Sequence, residues 1–463
     1  MPTRPYTYYD FTLSLCPTCL TRIDAKIVFE GNNVFMLKRC KEHGNFKVLI
    51  ADDAAYYKNI RNYNKPSETP YKFNTATHYG CPYDCGLCTD HEQHSCLTVI
   101  EITDRCNLTC PTCYAGSSPT YGRHRTLDEV KKMLDTIVEN EQEPDVVQIS
   151  GGEPTLHPQF FEILDYAKSL PIRHVMLNTN GITIAKDVEF AKRLASYAPG
   201  FEIYLQFDSM KKEVLEVMRG ANLVSIREQA LAHLNELNLS TTLVVTIQKN
   251  LNDDSIGEII DFAVKQPCVR GVTLQPTQLA GRVENFDNLA DRITLTEVRR
   301  KILEQTNIFN ADDLIPVPCN PDSLVMGYAI KMAGDVIPLT RYINPADLLD
   351  SGKNTIVYEQ DEQLHSKMIS LFSTGNSAES ASEKLHGILC CLPLVDAPSL
   401  GYENLFRVII MQFVDAYNFD VRAIKKSCVH IVNKDYKIIP FETMNLFYRD
   451  EKKEYLKQLQ ANQ

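Results

Sequence analysis

Six apolar, β-branched runs recur through the middle of the chain, at 97–103, 145–150, 173–179, 201–207, 241–247 and 271–276. None alternates cleanly between apolar and polar positions, so each predicts a strand covered on both faces. Between them, segments near 126–140, 158–169, 185–195, 223–236 and 254–265 carry apolar residues at helical spacing. The first opens with Thr126-Leu-Asp-Glu129, where a threonine hydroxyl and a glutamate three positions later can cap each other's backbone amides. Strand–helix alternation up to about residue 285 predicts an α/β fold whose parallel sheet curves into a partial barrel of six βα units.

The flanks read differently. Residues 1–75 suggest a small irregular unit with two short β-prone runs around Asn32-Asn33 and no evident core of its own. Residues 76–96 are a cysteine-rich segment. In 286–463 the pattern predicts a helix over 402–417, a hairpin over 428–441 turning at Asn433-Lys-Asp, and a charged surface helix at the end. The polar run 372–384 has linker composition. The expected division is 1–75, 76–96, 97–285 and 286–463.

Composition narrows the class. With 463 residues, 44% of them hydrophobic, the chain can bury more than one core. A formal net charge of -11 offers no footprint for nucleic acid, and none is expected as a partner. The apolar stretches 388–395 and 405–413 are too short to span a bilayer, and the first residues lack the apolar core of a signal peptide. The expected location is cytoplasmic, with peripheral membrane association left open.

Fifteen cysteines change the picture, because ten of them precede residue 114 in tight groups. Reducing conditions oppose structural disulfides, so metal ligation explains the grouping better. Cys16-x2-Cys19 with Cys40-x2-His43 is a knuckle spacing that suits a mononuclear iron or zinc. Cys81-x3-Cys85-x2-Cys88 followed by Cys96 offers four thiolates for an auxiliary [4Fe–4S] cluster, or for zinc. Cys319, Cys390, Cys391 and Cys428 form a looser candidate set for a second auxiliary cluster.

Cys106-x3-Cys110-x2-Cys113 lies just past the first barrel strand, where such folds place their reactive centres. Three thiolates hold three corners of a cubane and leave one iron open to a small molecule. The glycine turn Gly151-Gly152-Glu153-Pro154 ends the second strand and permits close backbone approach. Tyr114 sits beside the last cysteine. Asn180, Gln206, Asp208, Thr246 and Gln275 stand at later strand ends as candidate contacts for a cofactor, with Asn178, Gln248, Arg219 and Gly220 as further candidates.

On these motifs, residues 97–285 resemble the radical S-adenosylmethionine superfamily. The resemblance implies a [4Fe–4S] cluster on Cys106, Cys110 and Cys113, one-electron cleavage of S-adenosylmethionine from a low-potential electron donor, and hydrogen abstraction from substrate. The glycine turn with Glu153 is then expected to meet the methionyl ammonium. Over most of its length the layout of Cys16 to His43, Cys81 to Cys96, Cys106 to Cys113, Pro318-Cys319 and 428–449 is similar to the tetraether lipid synthase family and its bacterial relatives. That likeness implies radical C–H activation and sp3 carbon–carbon coupling of lipid alkyl chains. The alternative it leaves open is radical-dependent methylation of a pterin or another small molecule. A non-catalytic iron–sulfur carrier is the reading from a different class, disfavoured by the three-cysteine set with its glycine turn.

Overall fold

The computed structural model describes residues 4–63, 68–284, 286–288, 290–332, 335–341 and 404–462. Cys390, Cys391 and the polar run 372–384 lie outside the described residues.

The N-terminal unit is more regular than its sequence suggests. Thr7–Leu15, Arg22–Glu30, Asn33–Cys40 and Gly44–Ala51 form an antiparallel meander of four strands in sequence order. Alternate positions in Asn33–Cys40 turn inward, so Val34 and Met36 pack with Ala25, Ile27 and Phe29. Helix Ala54–Asn59 closes this layer with Ala54 and Tyr57. The unit thus has an apolar core, contrary to the expectation that it has none.

The six expected strands are all present and parallel, as Leu97–Thr103, Val146–Gly151, His174–Thr179, Phe201–Gln206, Thr241–Ile247 and Val269–Pro276. They lie side by side in chain order. The first five of these strands divide their apolar residues between two layers. Ile100 and Ile102 pack with Met133 and Leu134 of helix Leu127–Glu141, whereas Leu97 and Val99 join Met176, Tyr204 and Val244 on the opposite face. That helix carries the expected reciprocal cap: Glu129 N–H donates to Thr126 Oγ1 at 3.2 Å and Thr126 N–H to the Glu129 carboxylate at 2.7 Å.

The C-terminal region extends this sheet at both edges. Leu405–Met411 runs parallel to Val269–Pro276 and is followed by the antiparallel Leu324–Met332. At the other edge Val429–Val432 pairs in parallel with Leu97–Thr103 and forms the expected hairpin with Ile438–Pro440. Within the span 402–417, where a helix is expected, Leu405–Met411 is therefore a strand. Its run Val408-Ile-Ile-Met411 is buried along its length, and Arg407 reaches the buried Glu202 carboxylate at 2.9 Å. A short apolar run does not distinguish a buried strand from a buried helix, and here the neighbouring strand decided it.

Among the described residues no helix is long and apolar enough to cross a membrane.

Candidate active site and metal centres

The loop after Leu97–Thr103 carries Cys106, Cys110 and Cys113, the first two buried and the third half-buried, and all three line one cavity at the C-terminal ends of the strands. Burial, Glu153 and the neighbouring thiols push Cys106 up to about 12, against the hydrogen bond its sulfur accepts from Leu108 N–H at 3.4 Å; Asn180 Nδ2 also donates to that sulfur, at 4.0 Å. Burial also pushes Cys110 up. Thiolates here need a nearby positive charge, which a bound iron cluster would provide, so the donor set fits such a cluster.

The loop is held by elements far along the chain. Gly152 N–H donates to Thr103 O at 2.8 Å and Glu153 N–H to Arg105 O at 2.9 Å. A Cβ on Gly151 would lie 2.2 Å from Thr103 O, and one on Gly152 would lie 2.2 Å from Arg105 O. The two glycines are therefore required by close packing of backbone on backbone. From the far side Arg282 donates to Cys110 O at 2.6 Å and to Ser117 O at 2.8 Å, while Arg282–Val283 pairs with Thr112–Cys113. Arg282 was not among the sequence candidates. Its only signal is a Gly-Arg pair just beyond the sixth strand, too common to single out.

The candidate cofactor contacts divide into two groups. Tyr114, Gly151, Gly152, Asn180, Gln206, Thr246 and Gln275 line the cavity, as do Asn178 and Arg219. Glu153 and Asp208 do not. The Glu153 carboxylate is buried and accepts from Thr155 N–H at 3.2 Å, the Thr155 and Thr179 hydroxyls at 2.7 Å each and Asn180 N–H at 2.8 Å. In this structure these four bonds make the Glu153 carboxylate a brace for the turn. Asp208, fully buried, takes two hydrogen bonds of 2.6 Å from Arg219 and orients that guanidinium, which also reaches Gln206 Oε1 at 3.2 Å. Arg219 is thus a charged group presented to the cavity in a fixed orientation. Arg227, also unpredicted, is buried, lines the same cavity and donates to Asn180 O.

Two further donor sets have all their ligand atoms within 4.8 Å of one another. The first is Cys16, Cys19, Cys40 and His43, as the spacing predicts. His43 Nδ1 stands 3.6 Å from Cys16 Sγ and 3.4 Å from Cys40 Sγ, and Cys19 Sγ is 3.9 Å from Cys40 Sγ. Metal–sulfur bonds of about 2.3 Å in a tetrahedron place sulfurs about 3.8 Å apart, so the set fits one ion. Burial pushes Cys40 up, but His43 and the amides of Glu42 and His43 outweigh it and hold it at about 6.

The second set is Cys96, Cys319 and Cys428. The last two sulfurs are 3.5 Å apart. This regroups the sequence assignment, because Cys96 leaves the set of Cys81, Cys85 and Cys88 and joins the C-terminal cysteines. Cys96 abuts the first strand and Cys428 the strand that pairs with it, with Leu97 N–H donating to Cys428 O at 3.1 Å. Pairing of strands, which spacing cannot reveal, sets this site. His94 adds an unexpected neighbour: its Nε2 lies 3.4 Å from Cys96 Sγ, and its Nδ1 lies 3.2 Å from the Glu141 carboxylate. Burial lowers His94, but Cys96 and Glu141 outweigh that and push it up to about 12.

The radical SAM superfamily model matches residues 100–263, and an HMPTM N-terminal zinc ribbon domain matches 8–52. The fold and the three-cysteine site are those of a radical S-adenosylmethionine enzyme. The chain is 31% identical over 484 residues to the 7,8-dihydro-6-hydroxymethylpterin dimethyltransferase of Methanocaldococcus jannaschii, spanning 96% of this chain and 94% of that protein, and it belongs to the family of that enzyme. It is also 26% identical over 209 residues to the mycofactocin maturase MftC of Mycolicibacterium smegmatis, covering 45% of this chain and 50% of that one. SuiB of Streptococcus suis, solved with S-adenosylmethionine, aligns over 45% of this chain and 46% of its own at 16% identity and a TM-score of 0.37. The relationship to tetraether lipid synthases implied by the cysteine layout finds no support in these relatives.

Proposed function

We propose that the protein uses radical chemistry to methylate a pterin or a closely similar nitrogen heterocycle. The observation that carries this reading is the carboxamide wall of the cavity. Gln148, Asn178, Gln206, Gln275 and Gln278 all line it beside Tyr114, Tyr204, Phe413 and Phe441. Asn178 and Gln206 are chained to Ser150 by hydrogen bonds of 2.9 Å, and Gln275 donates to the Tyr204 hydroxyl at 3.1 Å. Gln278 Oε1 is a buried acceptor with no partner among the described residues. Neutral amides beside aromatic rings suit a flat heterocycle whose edge carries both N–H and C=O groups. An alkyl chain would leave Gln278 Oε1 desolvated and unpaired, which costs about 1–3 kcal/mol. The near-full-length relationship to a pterin methyltransferase supports the same reading over coupling of lipid chains.

When bound, the cluster and S-adenosylmethionine would supply one-electron cleavage of the sulfonium and a primary carbon radical, with the electron coming from an external low-potential donor. Cys106, Cys110 and Cys113 would hold three corners of the cluster. The Gly151–Gly152 turn would bring backbone close to the methionyl group, and Arg219 would offer its guanidinium to a carboxylate. The N-terminal set would hold zinc or a single iron, and Cys96 with Cys319 and Cys428 an auxiliary metal centre.

The test is anaerobic turnover with reductant, S-adenosylmethionine labelled in the methyl group and a reduced hydroxymethylpterin. The expected outcome is 5′-deoxyadenosine together with a pterin carrying a new methyl group. Deoxyadenosine formation that responds only to long-chain lipids, with a joined carbon skeleton as product, overturns the pterin reading and favours lipid coupling. Label in the product identifies S-adenosylmethionine as the methyl source; an unlabelled methyl group points to another carrier.

A further inference from the structure

With Cys96 committed elsewhere, the loop of Cys81, Cys85 and Cys88 no longer supplies its own fourth cysteine. The segment 438–448 is folded directly against this loop. Leu87 N–H donates to Ile438 O at 3.0 Å, Cys85 N–H donates to the Tyr448 hydroxyl at 2.7 Å, and a Cβ on Gly86 would stand 3.2 Å from Ile438 O. Within that segment Thr443 hydrogen-bonds the Cys85 side chain, and the adjacent Glu442 acts on Cys85 through its charge. Glu442 is 3% exposed.

Glu442 differs from the other buried acids near the barrel. Glu101 is paired with Arg449 at 2.6 Å, Asp208 with Arg219 at 2.6 Å and Glu202 with Arg407 at 2.9 Å. Glu153 forms no ion pair within 4 Å among the described residues but has four hydrogen bonds to its two oxygens. Glu442 accepts a single side-chain hydrogen bond, from Ser427 Oγ at 3.0 Å, and among the described residues no lysine or arginine pairs with it. A carboxylate taken out of water without a cation is costly, and burial favours the protonated acid at Glu442; only a nearby cation would stabilise its charged form there. A cation held by that loop would be the missing partner.

We propose that Glu442 is a metal ligand, its carboxylate completing the coordination of an iron–sulfur cluster held by Cys81, Cys85 and Cys88. Oxygen is a harder donor than thiolate, so the iron bound to Glu442 is more ionic than its three neighbours and gives up its protein ligand more readily. The centre would thereby differ from a cluster on Cys106, Cys110 and Cys113, which would leave one iron without a protein ligand. The proposal rests on a cluster in the 81–88 loop and is independent of the identity of the substrate.

The experiment uses the full chain reconstituted anaerobically with iron-57 and sulfide, in a Cys106→Ala/Cys110→Ala/Cys113→Ala background that removes the catalytic cluster. Mössbauer spectra and iron content are compared for Glu442, Glu442→Cys and Glu442→Gln. The parent is expected to show one iron subsite of oxygen-ligated character, which disappears in Glu442→Cys at unchanged iron content. Glu442→Gln is expected to lose that iron, giving the electron paramagnetic resonance signal of a three-iron cluster, or to lose about four irons per chain, the content of one cubane. Identical spectra for Glu442 and Glu442→Cys overturn the proposal, even if Glu442→Gln fails to fold. In the same background Cys85→Ala must lower the iron content; no change there shows that the loop holds no cluster and overturns it as well.

Discussion

The N-terminal metal site and the Cys96 site are built in opposite ways. Cys16, Cys19, Cys40 and His43 come from one meander, and the chain returns to the ion through consecutive strands. Cys96, Cys319 and Cys428 come from the start of the barrel, from the turn before the antiparallel strand Leu324–Met332 and from the strand that extends the opposite edge. The first is a local clip; the second ties the two ends of the sheet together. A ligand lost from the first should loosen one small unit, whereas a ligand lost from the second should be felt by the whole barrel.

The largest effect expected is on activity. Cys110→Ala should abolish 5′-deoxyadenosine formation while metal analysis still finds the ions of the N-terminal set and of Cys96, Cys319 and Cys428. Loss of metal from those distant sites would show that the centres assemble as one unit and would erase the distinction.

Next comes the direct contrast between the two sites. Cys428→Ala should lower both the iron content and the main thermal transition, and Cys16→Ala should release only the N-terminal ion and unfold only residues near 8–52. Hydrogen exchange resolves the two patterns. Barrel-wide deprotection in Cys16→Ala would break the comparison.

Glu202 with Arg407 tests the same long-range stitching without a metal. Burial raises the Glu202 carboxyl, but Arg407, His174 and Thr242 outweigh it and hold the group well below the ordinary carboxylate range. Because the folded value is depressed, the pair stabilises fully above the unfolded value of about 4.3, and the contribution is lost as pH falls from there toward the folded value. Glu202→Gln leaves Arg407 buried without its counter-charge. It should cost about 3–5 kcal/mol at neutral pH and flatten the acid limb of stability measured by denaturant titration.

The smallest effect is the local one. Thr126→Ala removes one half of the reciprocal cap on Leu127–Glu141 and should cost about 1 kcal/mol, with no change in metal content. A cost several times larger would mean that the cap also fixes the end of the cluster loop.

What was legible from the sequence follows the same division. The six parallel strands, the capped helix, the 428–441 hairpin, the knuckle of Cys16 to His43 and the three-cysteine motif with its glycine turn all depend on neighbours within a few dozen residues. Spacing and periodicity carry that information. Tertiary structure alone decided that 405–411 is a strand, since its place between Val269–Pro276 and Leu324–Met332 overrides an ambiguous apolar run. It alone moved Cys96 to Cys319 and Cys428, tied the Glu153 carboxylate to Thr179 and Asn180, and brought Arg282 to the cluster loop, Arg227 to Asn180 and His94 to Cys96. The physical reason is that side-chain chemistry is written residue by residue, but the charge and donor atoms surrounding a buried group come from whichever strand pairs beside it.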